Sequence, residues 1–426
     1  MNYTTLRQTL VLLVLLMLGI VNISSATPNY GRKYSLPCSG CHTVVPRLNE
    51  TGFNFRAAGY RMPDEIGKPM QTFNLGDYFS GRMQTTIQNV NSTPVSGPST
   101  SNTAFTNGGM EFFAFNGAFT KNLSMITEVG FAPGNPVGFS GGVKYATGKE
   151  DGFFTLRLGI LHNYEGYGAA DRGIGNGSPL MITTAAANSA DGVTKSFTLS
   201  GFNQLGLEGG YTMGRSSIRA VLNGGVYYND KLDPVGLSPS VGGTFTKSKN
   251  LPSTNSFDLQ IYANQILTED GGGISGVFYL GQVDLPTGIS GTKAVDSLWW
   301  TNSFNRWALF ASYPVMRGLI LAGYESGVDN SFKKATLTKG DDLKSGGFFV
   351  GAEYSPIDLV GFGVRYDMFD PAKDLDDNDI SQIAIFGNYS FGDGLQLVAQ
   401  YALKNTKSAA GTQKDNTIRL TVGFIQ

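Results

Sequence analysis

The chain has 426 residues, a formal net charge of −1, two cysteines and two histidines. A near-neutral balance provides no field to draw in nucleic acid. Two cysteines are too few for a disulfide-stapled scaffold. The 57 Gly, 28 Phe and 19 Tyr favour strands and turns over helix-period packing.

The chain opens with Arg7, an apolar run over 10–21, and the small residues Ser24, Ser25 and Ala26. This is the layout of a secretory signal peptide over 1–26. The run is shorter than the roughly 20 apolar residues a membrane-spanning helix needs. No later run reaches that length either. The mature chain is therefore expected to be either soluble outside the cytoplasm or built as a membrane barrel.

Residues 27–74 hold both cysteines, in SLPCSGCHT. Cys38, Cys41 and His42 form a C-x-x-C-H motif, the attachment signature of a c-type haem. Two thiols on one short turn can add to the two vinyl groups of one porphyrin edge, and the adjacent histidine then lies under the iron. A zinc site would need four ligands, and the only other histidine is His162. For the second axial position the candidates are Met62, Met70, Met83 and His162. Met83 shares an outward face with Phe79 and Ile87, and His162 precedes a long polar loop. Met62 is favoured, with Met70 next. Fewer than fifty residues cannot enclose a haem in a core of their own. The segment is expected to plug the periplasmic mouth or lumen of a barrel built from the rest of the chain. Arg32, Lys33, Arg47, Arg56 and Arg61 would then be placed to pair with haem propionates or acidic lumen residues.

From 75 to 426 the chain alternates apolar and polar residues, the period-2 signature of strands with two different faces. Phe154, Leu156, Leu158 and Ile160 alternate with Thr155 and Arg157; Ile418, Leu420, Val422 and Phe424 alternate with Arg419 and Thr421. The count is about sixteen strands, each near the 9–11 residues of a tilted membrane strand. Short connections, such as 120–122, 147–151, 213–216, 314–318 and 391–394, alternate with long polar ones at 89–107, 163–202, 230–255, 284–300 and 325–346. The fold class is therefore all-β: an outer-membrane barrel with short periplasmic turns and long outer loops. Polar residues including Arg82, Glu128, Arg157, Glu208, Arg219, Asp258, Arg306, Glu353, Arg365 and Arg419 are expected to face a lumen. The acidic run from Asp374 to Asp379 reads as a solvated outer loop, since it lacks the glycine of a calcium loop.

The stretch CSGCHTVVPRLNETGFNFRAAGY, with Pro46, Leu48, Gly52, Phe55, Gly59 and Tyr60, resembles the fused outer-membrane monohaem cytochrome–porins, which include iron oxidases of iron-oxidising bacteria. At the level of sequence the resemblance covers the first fifty mature residues; over the barrel it covers architecture and length. It implies one covalent haem c and electron transfer between the cell exterior and a soluble periplasmic c-type cytochrome. Extracellular Fe(II) is the leading donor, and the opposite direction of flow or a diffusion porin with a haem plug are the alternatives. Over 48–58 a short helix is expected, with Gly52 open to close approach by the porphyrin and Phe53 or Phe55 packed on it. An apolar band about 25 Å tall means that one haem is useful only if it sits inside the wall.

Overall fold

The computed structural model describes residues 29–44, 47–69, 77–113, 115–131, 138–161, 179–183, 204–224, 257–286, 289–290, 293–294, 299–333, 338–357, 359–374, 376–390 and 395–425. The signal segment, Pro46, Met70, His162 and most of the long outer loops lie outside these residues.

The first part of the chain is short and mixed. It runs through helix α1 (Asn29–Tyr34), a 3-10 turn (Cys38–Gly40), the small hairpin β1 (His42–Val44) and β2 (Arg47–Leu48), helix α2 (Glu50–Ala57) and a second 3-10 turn (Pro63–Glu65). The barrel begins at Ser80. Its first half comprises β3 (Ser80–Thr93), β4 (Thr100–Phe113), β5 (Gly117–Ala118), β6 (Leu123–Phe131), β7 (Gly138–Lys149) and β8 (Gly152–Leu161). A four-residue helix, α3 (Leu180–Thr183), precedes β9 (Gln204–Met213), β10 (Ser216–Gly224), β11 (Phe257–Ile266) and β12 (Gly273–Pro286). A loop hairpin, β13 (Ile289–Ser290) and β14 (Lys293–Ala294), lies outside the barrel sheet. The second half is β15 (Trp299–Val315), β16 (Gly318–Lys333), β17 (Thr338–Ile357), β18 (Val360–Asp370), β19 (Ile380–Ser390), β20 (Leu395–Ser408) and β21 (Gly411–Ile425).

All barrel pairings are antiparallel and follow chain order, with β12 pairing β15 past the loop hairpin, and β21 pairs β3 to close the sheet. Both β4 and β5 pair with β6, so they are two parts of one stave, interrupted near Phe115 and Asn116. Among the described residues the staves therefore number sixteen, as the alternation predicts. The outward face is an apolar belt: Phe154, Leu156, Leu158, Leu309, Ile320, Val364, Ile385 and Ile418 are all exposed. Met83 belongs to this belt. A closed barrel with such an exterior is stable in lipid, where every backbone group is paired and no edge is left open. The protein is thus an outer-membrane-type β-barrel.

Two expectations need correcting. Two outer connections are shorter than the sequence suggests. Ser92 pairs Thr100, and Asn330 pairs Asp342. There the strands run on past the membrane into water, where both faces are polar. Alternation vanishes while pairing continues, as in the contact from Asn89 Nδ2 to Thr103 Oγ1 at 2.8 Å. The lumen is also not uniformly polar. Its ion pairs include Arg306–Asp329 and Arg365–Asp367, each at 2.8 Å. Between them lies an apolar cluster in which α3 packs against inward residues of β10 to β18, among them Tyr279, Phe310 and Phe349. Met181 is fully buried, and the Leu180 N–H donates to the Asp367 carboxylate at 3.2 Å.

Candidate functional site

The motif residues are held in place by the chain immediately C-terminal to them. Cys38 opens the first 3-10 turn, and Cys41 and His42 lead directly into β1, where His42 pairs Leu48. Asn49 then does three things at once. Its side-chain oxygen accepts from the Gly52 N–H at 3.0 Å and caps α2. Its side-chain nitrogen donates to the Ser39 and Gly40 carbonyls at 3.3 and 3.2 Å. Its backbone N–H donates to the Cys41 carbonyl at 3.0 Å. The C-x-x-C turn is thereby folded onto the start of α2.

Gly52 is required by that fold. A Cβ there would lie 2.2 Å from the Cys41 carbonyl oxygen and 2.9 Å from the Leu48 side chain. This corrects the expectation that Gly52 is open to close approach by a porphyrin: its space is already taken by backbone. Phe53 turns to the barrel wall, against Ile266 and under the Arg219 guanidinium. Phe55 turns the other way, into a cluster with Tyr30, Tyr34 and Tyr60.

The described part of the segment, residues 29–44 and 47–69, sits in the mouth that carries the short turns, the periplasmic mouth of an outer-membrane barrel. Glu50 pairs Arg215 at 2.9 Å, and its N–H donates to the Glu269 carbonyl. That ion pair holds the Arg215 guanidinium above its ordinary value. The Thr43 hydroxyl donates to the Asp270 carbonyl. Ala57 and Ala58 pack on Ala146 and Phe153. Arg47 grips Glu353 through Nε and Nη2, at 2.9 and 3.0 Å, with both side chains buried.

Met62 lies beyond α2, half-buried, and its N–H donates to Glu65 at 3.1 Å. The same carboxylate oxygen accepts the Tyr34 hydroxyl at 2.6 Å. Burial and this partner push the Tyr34 hydroxyl well up. Lys33 lies over the Tyr34 and Tyr78 rings, and burial pulls its ammonium down against the opposing pull of Glu65 and Asp77. Arg61 is fully buried beside this group, donating through Nη1 to the Thr120 and Lys121 carbonyls at 3.1 and 2.8 Å. Its Nε and Nη2 have no partner among the described residues. Cys41 and His42 are thus gathered with Asn49 and Gly52 at one end of α2, while Met62 is joined to α1 through Glu65. In the acidic loop, Asp374 pairs Lys344 and Asp379 pairs Lys407. Among the described residues no group of three or more His, Cys, Asp or Glu side chains converges on a metal-sized site.

Sequence reasoning missed Asn49, whose cap is visible only once α2 is placed. It also missed α3, although LMI within a polar loop was a signal.

The fold and this mouth define a porin-like outer-membrane barrel with its N-terminal segment docked inside. In sequence, no family model and no curated protein matches the chain. In structure it is similar to an anion-selective porin from Comamonas acidovorans, with TM-score 0.50 and 12% identity over 81% of this chain and 98% of that one. A loop-deletion mutant of OmpT from Vibrio cholerae gives 0.49 and 11% over 82% and 98%. The channel DcaP of Acinetobacter baumannii gives 0.46 and 12% over 82% and 96%. At these identities the likeness is one of fold.

Proposed function

We propose that the protein is an outer-membrane electron conduit that oxidises extracellular Fe(II) and passes electrons to a soluble periplasmic c-type cytochrome, using one covalent haem c. The observation that carries this reading is the Cys41–His42 turn, folded onto α2 and seated in the short-turn mouth. Each thiol, of Cys38 and of Cys41, would add across one vinyl C=C of the porphyrin, forming a thioether with no oxidant required. His42 would bind the iron, and Met62 is the proposed second axial ligand. A haem so held supplies one-electron chemistry at its iron.

The residues fit such a group in two ways. The turn bearing the cysteines is fixed by Asn49, so both cysteines stay on one short arc of backbone. The Arg61 guanidinium also keeps a buried Nε/Nη2 edge with no partner among the described residues, the donor pair an anion would satisfy. Around them, Arg47, Glu50 and Thr43 fasten the segment to the barrel, which holds it at the boundary between lumen and periplasm.

The test is haem staining and redox titration of the wild type beside Cys41→Ala and Met62→Ala, with Fe(II) mixed into the oxidised protein in a stopped-flow instrument. Covalent stain lost in Cys41→Ala, and a Soret shift on adding Fe(II), are expected. A wild type without covalent haem refutes the conduit, and a Soret band unmoved by Fe(II) refutes the iron reading. An unchanged low-spin spectrum in Met62→Ala removes Met62 as ligand. A second reading, a diffusion porin with a structural plug, is favoured by the barrel's likeness in fold to a porin and opposed by the apolar packing of α3 in the lumen.

A further inference from the structure

We propose that the Nε/Nη2 edge of Arg61 is a carboxylate-binding site and that its ligand is one propionate of the haem. The proposal deepens the haem reading above and depends on it.

Arg61 is 1% exposed, among the most buried side chains in the chain. Its Nη1 is fixed by two carbonyls of the turn between β5 and β6, Thr120 and Lys121. That anchoring orients the planar guanidinium and leaves Nε and Nη2 unpaired. These two N–H groups form one edge of the fork, with the spacing of the two oxygens of a carboxylate. The same chain shows the fit elsewhere: Arg47 uses its own Nε and Nη2 to hold both oxygens of Glu353.

Leaving a buried charged donor edge unmade is costly, far more so than for an exposed one. The nearby described groups do not fill it. Glu65 is engaged by the Tyr34 hydroxyl and the Met62 N–H, both on Oε2. The Tyr78 hydroxyl donates to the Ala118 carbonyl at 2.7 Å. Lys33 adds a second cation beside the same tyrosines. The site therefore calls for an anion with two coplanar oxygens. Arg61 precedes Met62, so that anion would lie close to one proposed face of the haem. Arg47 is committed to the barrel wall, whereas Arg61 keeps both Nε and Nη2 without a partner among the described residues.

The experiment uses the full-length holoprotein in detergent, with Arg61→Gln and Arg61→Lys beside wild type. Haem staining, heat-modified migration on gels, midpoint potential and the propionate bending modes in resonance Raman spectra are read together. A cation near the haem favours the reduced state, so Arg61→Gln should lower the potential. The expected change in the oxidised-to-reduced ratio is about tenfold, equivalent to about 59 mV for one electron. Arg61→Lys should keep most of the potential, because the charge remains, yet shift the propionate mode, because the fork is lost. Wild-type potential and propionate modes in both variants, with haem retained, overturn the Arg61 site and leave the conduit standing. Should Arg61→Gln lose its barrel, Arg61→Lys decides alone through the propionate mode. A wild type that carries no covalent haem overturns both readings, and the stain reports that separately.

Discussion

Arg47 and Glu353 meet in a two-pronged ion pair although 306 residues separate them in the chain. One belongs to the small hairpin beside the C-x-x-C-H turn and the other to a barrel stave, and both are almost completely buried. Removing one partner strands the other, which costs about 3–5 kcal/mol in a buried setting. Glu353→Ala should therefore release the N-terminal segment while the barrel persists. Limited proteolysis should cut within 29–69 much faster, with heat-modified gel migration unchanged. The double replacement Arg47→Met with Glu353→Leu should restore most of the protection, because an apolar pair incurs no desolvation cost. Equal protease resistance in Glu353→Ala and wild type would show that the pair does not hold the segment.

Gly52→Ala tests the approach of the motif turn to α2. The added methyl meets backbone at 2.2 Å, and backbone cannot swing aside as a side chain can. Alanine is otherwise the better helix former, by about 1 kcal/mol. Propensity and packing therefore predict opposite signs, and the contact should win. Under the haem reading, staining per folded barrel should fall several-fold. A stabilised segment with full staining would mean that the turn does not sit on Gly52.

Asn49 separates capping from turn fixation. Asn49→Asp keeps an oxygen for the Gly52 N–H but loses the donors to Ser39 and Gly40. Asn49→Ala loses both, and the cap alone is worth about 1 kcal/mol. If the donors matter, Asp should behave nearly as badly as Ala in protease protection of residues 38–41. Protection at the wild-type level in Asp would assign the whole effect to the cap.

The barrel was legible because lipid exposure is strict: Phe154, Leu156 and Leu158 point outward with Thr155 and Arg157 between them. The strand extensions past residue 89 were not, because a strand in water has no apolar face to announce it. The aromatic lumen residues were hidden for the opposite reason. Where Tyr279 and Phe310 face inward and Phe278 and Leu309 face outward, both faces are apolar and the period of two is lost. At the site, the cysteines and histidine stood out by composition and spacing. Arg61 did not, since the six lysines and arginines of residues 27–74 look alike until burial and committed partners distinguish them.

The expectation that α3 closes the lumen is open to a direct electrical test. Leu180, Met181 and Ile182 pack as one cluster with Tyr279, Phe310 and Phe349, and Asp367 ties the start of α3 to the wall. Water and ions avoid so apolar a constriction, since a hydrated cation would have to shed its shell there. Wild-type protein in planar bilayers should pass little current. Met181→Asp, which buries a charge in that cluster, should unseat α3 and raise the conductance several-fold, as should replacement of 180–183 by Gly-Ser-Gly-Ser. Should wild type and both variants carry the same current, α3 does not close the lumen. An exterior donor could then reach the N-terminal segment by diffusion alone.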